Sequence, residues 1–440
     1  MRQIGLDVHQ SFCEVAIRED GTTRSAGRVA TNREALELFA DSLCASDEVA
    51  LEATGPAMEI ARILEPHVAR VVVANAQDVR AISHARVKSD RFDARTLAEL
   101  LAAGMLESVW IATAEIQALR RRVARRASLV RQRTRAKNEV HATLARCLLG
   151  RAPVSDLFGA EGRAWLETHQ LGVEENETIA GCLRQIDFLD GEITAIDRQL
   201  AHWAISSVDA KRLMSIPGVG AGVAVTLMAA IGDIRRFPTA RHLVAYLGLD
   251  PKVRQSGDQA PRHGHISKRG NAHARAVLVE AAWQTLRQPG PLRAFGERVR
   301  ARRGAQVAAV AVARKLACLA WQLLTSRQDY AFAQPSIVRA KLRRTELAAG
   351  MPPLPTRHPG RRIKPTASER EAERETVVRA EAAYRRLIAD WKATNPARAA
   401  AAAQRPPRRP SGPAVPDPSA LTADLSRTVR KPAQAMTGGT

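Results

Sequence analysis

Four acidic residues stand where their side chains could share one task. Asp7 closes the apolar run of IGLDVHQ, Glu52 closes that of VALEATG, and Asp90 and Asp93 open a helical pattern in VKSDRFDA. The spacing of the last two puts both carboxylates on one face of a helix. An acid at the end of an apolar strand pattern costs desolvation energy unless it is paired or holds a cation. Phosphodiester cleavage needs an activated attacking oxygen and a stabilised leaving oxygen. Two Mg²⁺ ions about 3.5–4 Å apart can supply both. Mg²⁺ prefers hard oxygen ligands and keeps some of its water, so Asp7, Glu52, Asp90 and Asp93 are candidate ligands for Mg²⁺ or Mn²⁺. Each acid also has a plainer reading. Asp90 and Asp93 could stabilise a helix N-terminus through its dipole, and Glu52 could be an exposed acid. The joint pattern favours the metal.

A second candidate lies in YLGLDPKVRQSGDQAPRHGHISKRGNAHAR, whose density of Gly, Ser, His, Lys and Arg does not suit a core. Ser256 precedes Gly257 and is close in sequence to Arg254, Arg262, His263, Lys268 and Arg269. A serine among cations can attack phosphorus while the cations stabilise the developing charge. Read alone, however, Ser-Gly is a turn. Arg254, His263, His265, Lys268, Arg269 and Arg275 are candidates for phosphate contact. Upstream, SIPGVGAGVAVTLMAAIG reads as a helix–hairpin–helix element whose glycine turn can present N–H groups to a phosphate. A tight helical turn without that contact is the alternative.

The elements that must position these residues follow from periodicity. Residues 1–110 alternate between strands and helices: strands at Arg2–Asp7, Phe12–Arg18 and Gly27–Thr31, a helix Arg33–Leu43 capped by Asn32, a strand Glu48–Ala53, a helix Ala57–Leu64, a strand Val71–Ala74 and a helix Arg91–Ala103. This is the order of an α/β layer fold of ribonuclease-H type. Residues 114–148 read as one long basic helix with an imperfect apolar seam. Ile179–Trp203 reads as a second helix, and the pair suits an antiparallel hairpin or a coiled-coil dimer arm. Residues 210–330 form a second, mainly helical globular unit. From about 345 the chain turns rich in Pro, Arg and Ala; MPPLPTRHPGRRIKP and AAAQRPPRRPSGPAVPDP cannot bury enough surface to order themselves. A charged helix is expected near Ser368–Lys392. The predicted divisions are 1–112, 113–205, 206–330 and a largely disordered tail, 345–440.

The bulk composition names a partner class. Lys and Arg number 67 against 45 Asp and Glu, a net charge of +22. Such an excess speaks of polyanions rather than of fold, and Arg suits planar phosphate contacts. A codon bias toward Arg and Ala does not account for the net excess. The five cysteines are scattered without zinc-ligand spacing and fit a reducing cytoplasm. The N-terminus runs straight into a strand pattern with no signal-peptide features. No apolar run approaches the ~18–20 residues of a membrane span.

Taken with their flanks, GLDVHQ, LEATG and KSDRFDA, the acids resemble the DEDD tetrad of insertion-sequence transposases whose N-terminal domain is similar to the Holliday-junction resolvase RuvC. GLDPKVRQSG followed by GHISKRGNAHAR is similar to that family's C-terminal transposase domain. The resemblance covers roughly residues 1–330. It implies a RuvC-like, ribonuclease-H-like first domain with Asp7, Glu52, Asp90 and Asp93 as metal ligands, and Ser256 as a nucleophile forming a transient phosphoserine link to DNA. It also implies donor and target DNA as substrates and a structured guide RNA as partner. A homodimer or higher assembly is expected, and the two sets of residues could complete one site across it. The expected function is thus a transposase that cleaves and rejoins DNA strands. A RuvC-like junction nuclease would lack the Ser256 chemistry. A non-catalytic nucleic-acid-binding protein would have lost acids, whereas all four are present.

Overall fold

The computed structural model describes residues 1–75, 79, 90–169, 171–258, 261–352 and 366–396, without the side chains of residues 90–92 and 263. The chain divides into two compact units, Met1–Arg121 and Arg122–Thr440.

The first unit is built on a five-stranded sheet of order β3-β2-β1-β4-β5. Strands β1 (Gln3–Val8), β2 (Phe12–Glu19) and β3 (Thr22–Ala30) form an antiparallel meander. Asp20 and Gly21 join β2 to β3 with φ of 48° and 81°, the left-handed pair that a two-residue hairpin of matching twist requires. β3 begins earlier than the expected Gly27–Thr31. It is an almost wholly exposed edge strand, so its first half lacks the apolar alternation that would reveal it. Strands β4 (Glu48–Glu52) and β5 (Arg70–Ala74) continue the sheet in parallel beside β1.

Residue alternation divides the sheet into two faces. Ile4, Leu6, Val49, Leu51, Val71 and Val73 pack against α1 (Arg33–Asp41) and α2 (Ala57–Leu64) through Leu36, Ile60 and Leu64. Asn32 caps α1 as expected, its side chain accepting from the Ala35 N–H at 2.9 Å. On the opposite face, Ala50, Val72 and Ala74 meet Leu97 and Leu101 of α3 (Asp90–Ala102). Gly5 makes this approach possible: a Cβ there would lie 2.0 Å from the Ala94 carbonyl oxygen.

Helix α4 (Ala114–Arg146) runs from the first unit into the second. Its apolar seam is consumed within the chain. Leu129 packs on Leu189 and Ile193 of α6 (Val173–Ser206), while Ala136, Val140 and Leu144 pack on Ile179, Cys182 and Ile186. Rising numbers on α4 meet falling numbers on α6, so the two are antiparallel. Arg126–Asp197 and Arg133–Asp190 ion pairs line the seam. Of the two arrangements open from the sequence, this chain forms the hairpin. Between them lies α5 (Ala160–Glu167).

The second unit's main core joins α7 (Val208–Met214), α8 (Ala221–Ile231), α9 (Ala240–Tyr246), α10 (Ala272–Leu286), α11 (Pro291–Arg303) and α12 (Ala305–Ser326). α6 packs on α8 and on α13 (Pro335–Ala348). α12 corrects the expectation of no long apolar run: it is long and apolar enough to cross a membrane. Its Ala308, Val312, Leu316 and Ala320 are buried in the helical core.

The described part of the tail is helical where the charge pattern predicted it. Its expected helix is α14 (Ala367–Thr394), with a capping box at Thr366 and Glu369. The buried Glu381 accepts from the Gly290 N–H at 2.9 Å and from Arg293, and Glu373 receives the Ser336 N–H and hydroxyl. Thus α14 is fastened to α11 and α13 rather than free. Residues 353–365 and 397–440, which contain most of the two Pro-rich segments, lie outside the described residues.

Candidate nucleic-acid processing site

Two members of the first candidate set, Asp7 and Glu52, lie on the sheet face that α3 covers. β1 and β4 register as Leu6 with Leu51, so the next residues, Asp7 and Glu52, are side by side on strands about 4.8 Å apart. Both point to the face opposite the Leu6 and Leu51 side chains, which is the α3 face. Asp93 belongs to the first turn of α3 and is half-buried. Asp90 starts the same helix, but its side chain lies outside the described residues. The sheet therefore brings Asp7 and Glu52 together, and α3, whose first turn bears Asp93, packs on the same face. Among the described residues, no three His, Cys, Asp or Glu side chains converge as a metal-binding group.

Sequence reasoning missed a fifth carboxylate. Glu14 lies opposite Asp7 across β1 and β2, so Glu14, Asp7 and Glu52 occupy one row across three neighbouring strands. Glu14 is 1% exposed and accepts from Arg28 Nε at 2.8 Å. The Arg28 guanidinium also lies over the Phe12 ring, 4.3 Å from its centroid. The signal was present in FCEVAI, where Glu14 interrupts an otherwise apolar strand. On the other side, His9 Nε2 lies 3.0 Å from Asp7 Oδ2. Asp7 and Glu52 offer only oxygen donors on neighbouring strands, the chemistry a hard divalent cation takes. The residues present thus fit such an ion.

The second set rides on the hairpin of β6 (Pro251–Arg254) and β7 (Arg262–Ile266). Its base is rigid. Gly270, at φ 116°, would place a Cβ 2.0 Å from the Tyr246 carbonyl oxygen, and Gly248, at φ 66°, a Cβ 2.5 Å from that of Arg269. The Ser267 hydroxyl donates to Asp250 at 2.5 Å, and the Lys268 N–H donates to the Gly248 carbonyl at 3.1 Å. Lys268 itself takes a left-handed φ of 58°, an uncommon backbone for a lysine. Above this base, Arg254 stands opposite Arg262. Ser256 follows in the exposed loop beside Gly257 at φ 54°. His265, Lys268 and Arg269 are exposed nearby in the chain, while the His263 side chain lies outside the described residues. Arg275 differs from the rest: it donates from Nη1 to the Leu247 carbonyl at 3.1 Å, bracing the hairpin's base.

The expected helix–hairpin–helix is α7, a turn and α8. Gly218 makes the turn at φ 82°, pressed against the Ala281 carbonyl. Its carbonyl side is clamped: Thr285 Oγ1 donates to the Pro217 oxygen, and Lys341 Nζ donates to the Met214 and Ile216 oxygens, each at 2.8 Å. The first turn of α8 has no side-chain cap. On α10, burial and then the positive charges of Arg126 and Arg131 hold the His273 pKa below its ordinary value. The basic helix α4 therefore lies beside the start of α10, the helix that follows the Lys268–Arg269 loop.

Residues 4–148 match the family model of the DEDD transposases of the IS110 type, and residues 210–297 match that of the transposase IS116/IS110/IS902 family. The transposase for insertion sequence element IS1111A of Coxiella burnetii is 32% identical over 253 residues, 55% of this chain and 68% of that protein. A probable family 20 transposase of Pseudomonas aeruginosa is 31% identical over 293 residues, 64% of this chain and 85% of that protein. The pilin gene-inverting protein of Moraxella bovis is 33% identical over a shorter stretch of 96 residues, 20% of this chain and 29% of that protein. The chain belongs to the IS116/IS110/IS902 family of insertion-sequence transposases.

Proposed function

We propose that this chain excises and inserts a mobile DNA element by cleaving and rejoining strands, using a carboxylate-held divalent ion and Ser256. The observation that carries the reading is the row of Glu14, Asp7 and Glu52 beneath the helix that begins with Asp90 and Asp93. We read this first unit as ribonuclease-H-like, a fold that its sheet order and its family match both support. Asp7, Glu52, Asp90 and Asp93 are the residues that would hold Mg²⁺ or Mn²⁺. When bound, such an ion supplies Lewis-acid stabilisation of charge on phosphoryl and leaving oxygens. Glu14, neutralised by Arg28, stiffens the strand that faces Asp7, and His9 orients the Asp7 carboxylate.

Ser256 Oγ attacks the phosphorus of a DNA strand. The Oγ–P bond forms as the bond from phosphorus to the leaving deoxyribose oxygen breaks. The hydroxyl proton passes to a base, and the leaving oxygen takes up a proton. Attack by an incoming DNA hydroxyl reverses these changes and seals the new strand. Arg254, His263, His265, Lys268 and Arg269 hold phosphate oxygens around the loop, with Arg275 fixing its base.

A structured guide RNA is the second polyanion in this reading. It is supported by the net charge of +22 and by exposed Arg121, Arg122, Arg125, Arg131 and Arg135 along α4. Homo-oligomerisation would use surfaces other than the α4–α6 seam, which is already filled. A junction nuclease without serine chemistry is the alternative.

The decisive experiment incubates the full chain with element-end DNA and Mg²⁺. Asp7→Asn should abolish cleavage while nucleic-acid binding persists. Ser256→Ala should abolish a covalent protein–DNA adduct that denaturing electrophoresis detects with the wild type. An adduct that persists in Ser256→Ala removes the serine role, and cleavage by Asp7→Asn removes the metal role.

A further inference from the structure

A cavity of about 290 Å³ lies in the second unit between α7, the end of α12 and α13. Val208, Lys211, Arg212, Ser215, Arg327, Asp329, Val338 and Leu342 line it. None of these residues has a role in the function proposed above. Three of the side chains are cations and one is an acid.

The cations are not all accounted for by the fold. Lys341, just beneath, donates to the Met214 and Ile216 carbonyls on either side of Ser215 and so neutralises the end of α7. Arg212 pairs with Asp209, yet its buried Nε has no hydrogen-bond partner. Lys211 and Arg327 have no ion pair or carbonyl contact among the described residues. Arg327 holds a left-handed backbone, φ 56°, at the C-cap of α12, a conformation uncommon for arginine. A buried donor without a partner, the half-buried Lys211 and the exposed Arg327 around one cavity give a positive potential that a bound anion would meet. The apolar wall of Val208, Val338 and Leu342 suits the carbon skeleton attached to that anion, and the volume lies near the small end of ligand sites.

We propose that this cavity binds a phosphate group, with Lys211, Arg212 and Arg327 as its donors and the apolar wall against an attached sugar. Asp329 sets the limit on affinity, since its carboxylate repels the ligand. The phosphate has two sources, a free phosphate or mononucleotide and a backbone phosphate of a bound strand.

The test uses the full chain and follows binding of inorganic phosphate, of a nucleoside monophosphate and of a short single-stranded oligonucleotide by calorimetry. Variants are Lys211→Gln with Arg327→Asn, since asparagine tolerates the left-handed backbone, and, separately, Asp329→Asn. Phosphate should bind the wild type, about tenfold more weakly to the double variant, and more tightly to Asp329→Asn. If phosphate competes with the oligonucleotide and the double variant weakens both, the ligand is a strand phosphate. If the oligonucleotide is unaffected while phosphate and the monophosphate weaken, the ligand is a free phosphate compound. Equal binding of all three probes to the wild type and the double variant overturns the proposal. So does a loss of thermal stability in Asp329→Asn with no gain in phosphate affinity, because Asp329 would then be a structural partner of the cations.

Discussion

Replacing Gly5 by alanine tests whether α3 must lie where it does for the acids to act. The added Cβ would lie 2.0 Å from the Ala94 carbonyl oxygen and 2.8 Å from the Ala98 nitrogen, whereas real Cβ contacts essentially never fall under 3.0 Å. Both atoms are backbone, so no side chain can rotate away. The helix must withdraw by about 1 Å or more, carrying Asp90 and Asp93 away from Asp7 and Glu52. It cannot tilt freely, because Leu97 and Leu101 are buried against Ala50 and Val72. Overpacking of this kind costs about 1–3 kcal/mol, which a folded domain survives. A displacement of about 1 Å at a reacting centre costs roughly 100-fold in rate. Strand cleavage in Mg²⁺ should therefore drop about a hundredfold in a chain that remains folded and binds nucleic acid. Gly191→Ala is the control, since a Cβ there on α6 meets nothing within 4 Å. Wild-type cleavage by folded Gly5→Ala would show that the placement of α3 is irrelevant to catalysis.

Other consequences are testable by simple means. Glu381→Ala removes the acceptor for Gly290, Arg293 and Arg385; breaking a buried ion pair costs about 3–5 kcal/mol, so hydrogen exchange across Ala367–Thr394 should accelerate strongly while the α7–α12 core stays protected. His273 is held below its ordinary pKa of 6.5, first by burial and then by Arg126 and Arg131. The unfolded chain therefore takes up this proton first, and stability should fall as pH drops below 6.5. In urea titrations, His273→Gln should flatten that dependence, and an unchanged slope would remove the histidine from the account. If α4 carries RNA or DNA, Arg131→Ala and Arg135→Ala should each reduce the salt dependence of binding by about one unit of slope; identical slopes would move the nucleic-acid surface elsewhere.

Much of the first unit was legible because its signals are local. Val71–Ala74 and Glu48–Glu52 are short apolar runs, and Asn32 caps the helix that follows it. Asp7 and Glu52 were legible as neighbours of strand ends, and Asp90 and Asp93 as residues of a helix's first turn. What escaped detection depends on pairing. The first half of β3 is polar because only one of its neighbours is protein, and Glu14 joins the acid row only once the β1–β2 register is known. The tail illustrates the same limit. Pro and Arg content correctly marks weak core-forming power, but Glu373 and Glu381 lie eight positions apart in sequence and reach the starts of two other helices, information that composition does not contain.

The basic loop poses the opposite problem, since its sequence shows the charge but not the constraint. A flexible loop rich in Arg and Lys would bind any polyanion with little geometric demand. Here the cations rise from a base locked by Gly248 and Gly270, by the Ser267–Asp250 hydrogen bond and by Arg275 on the Leu247 carbonyl. Such a base limits the entropy lost when a phosphate is positioned. It also places Arg254 opposite Arg262, so that two cations stand side by side on the hairpin. The proposed phosphate-gripping role of the hairpin at Ser256 rests on this grouping of cations over a fixed base.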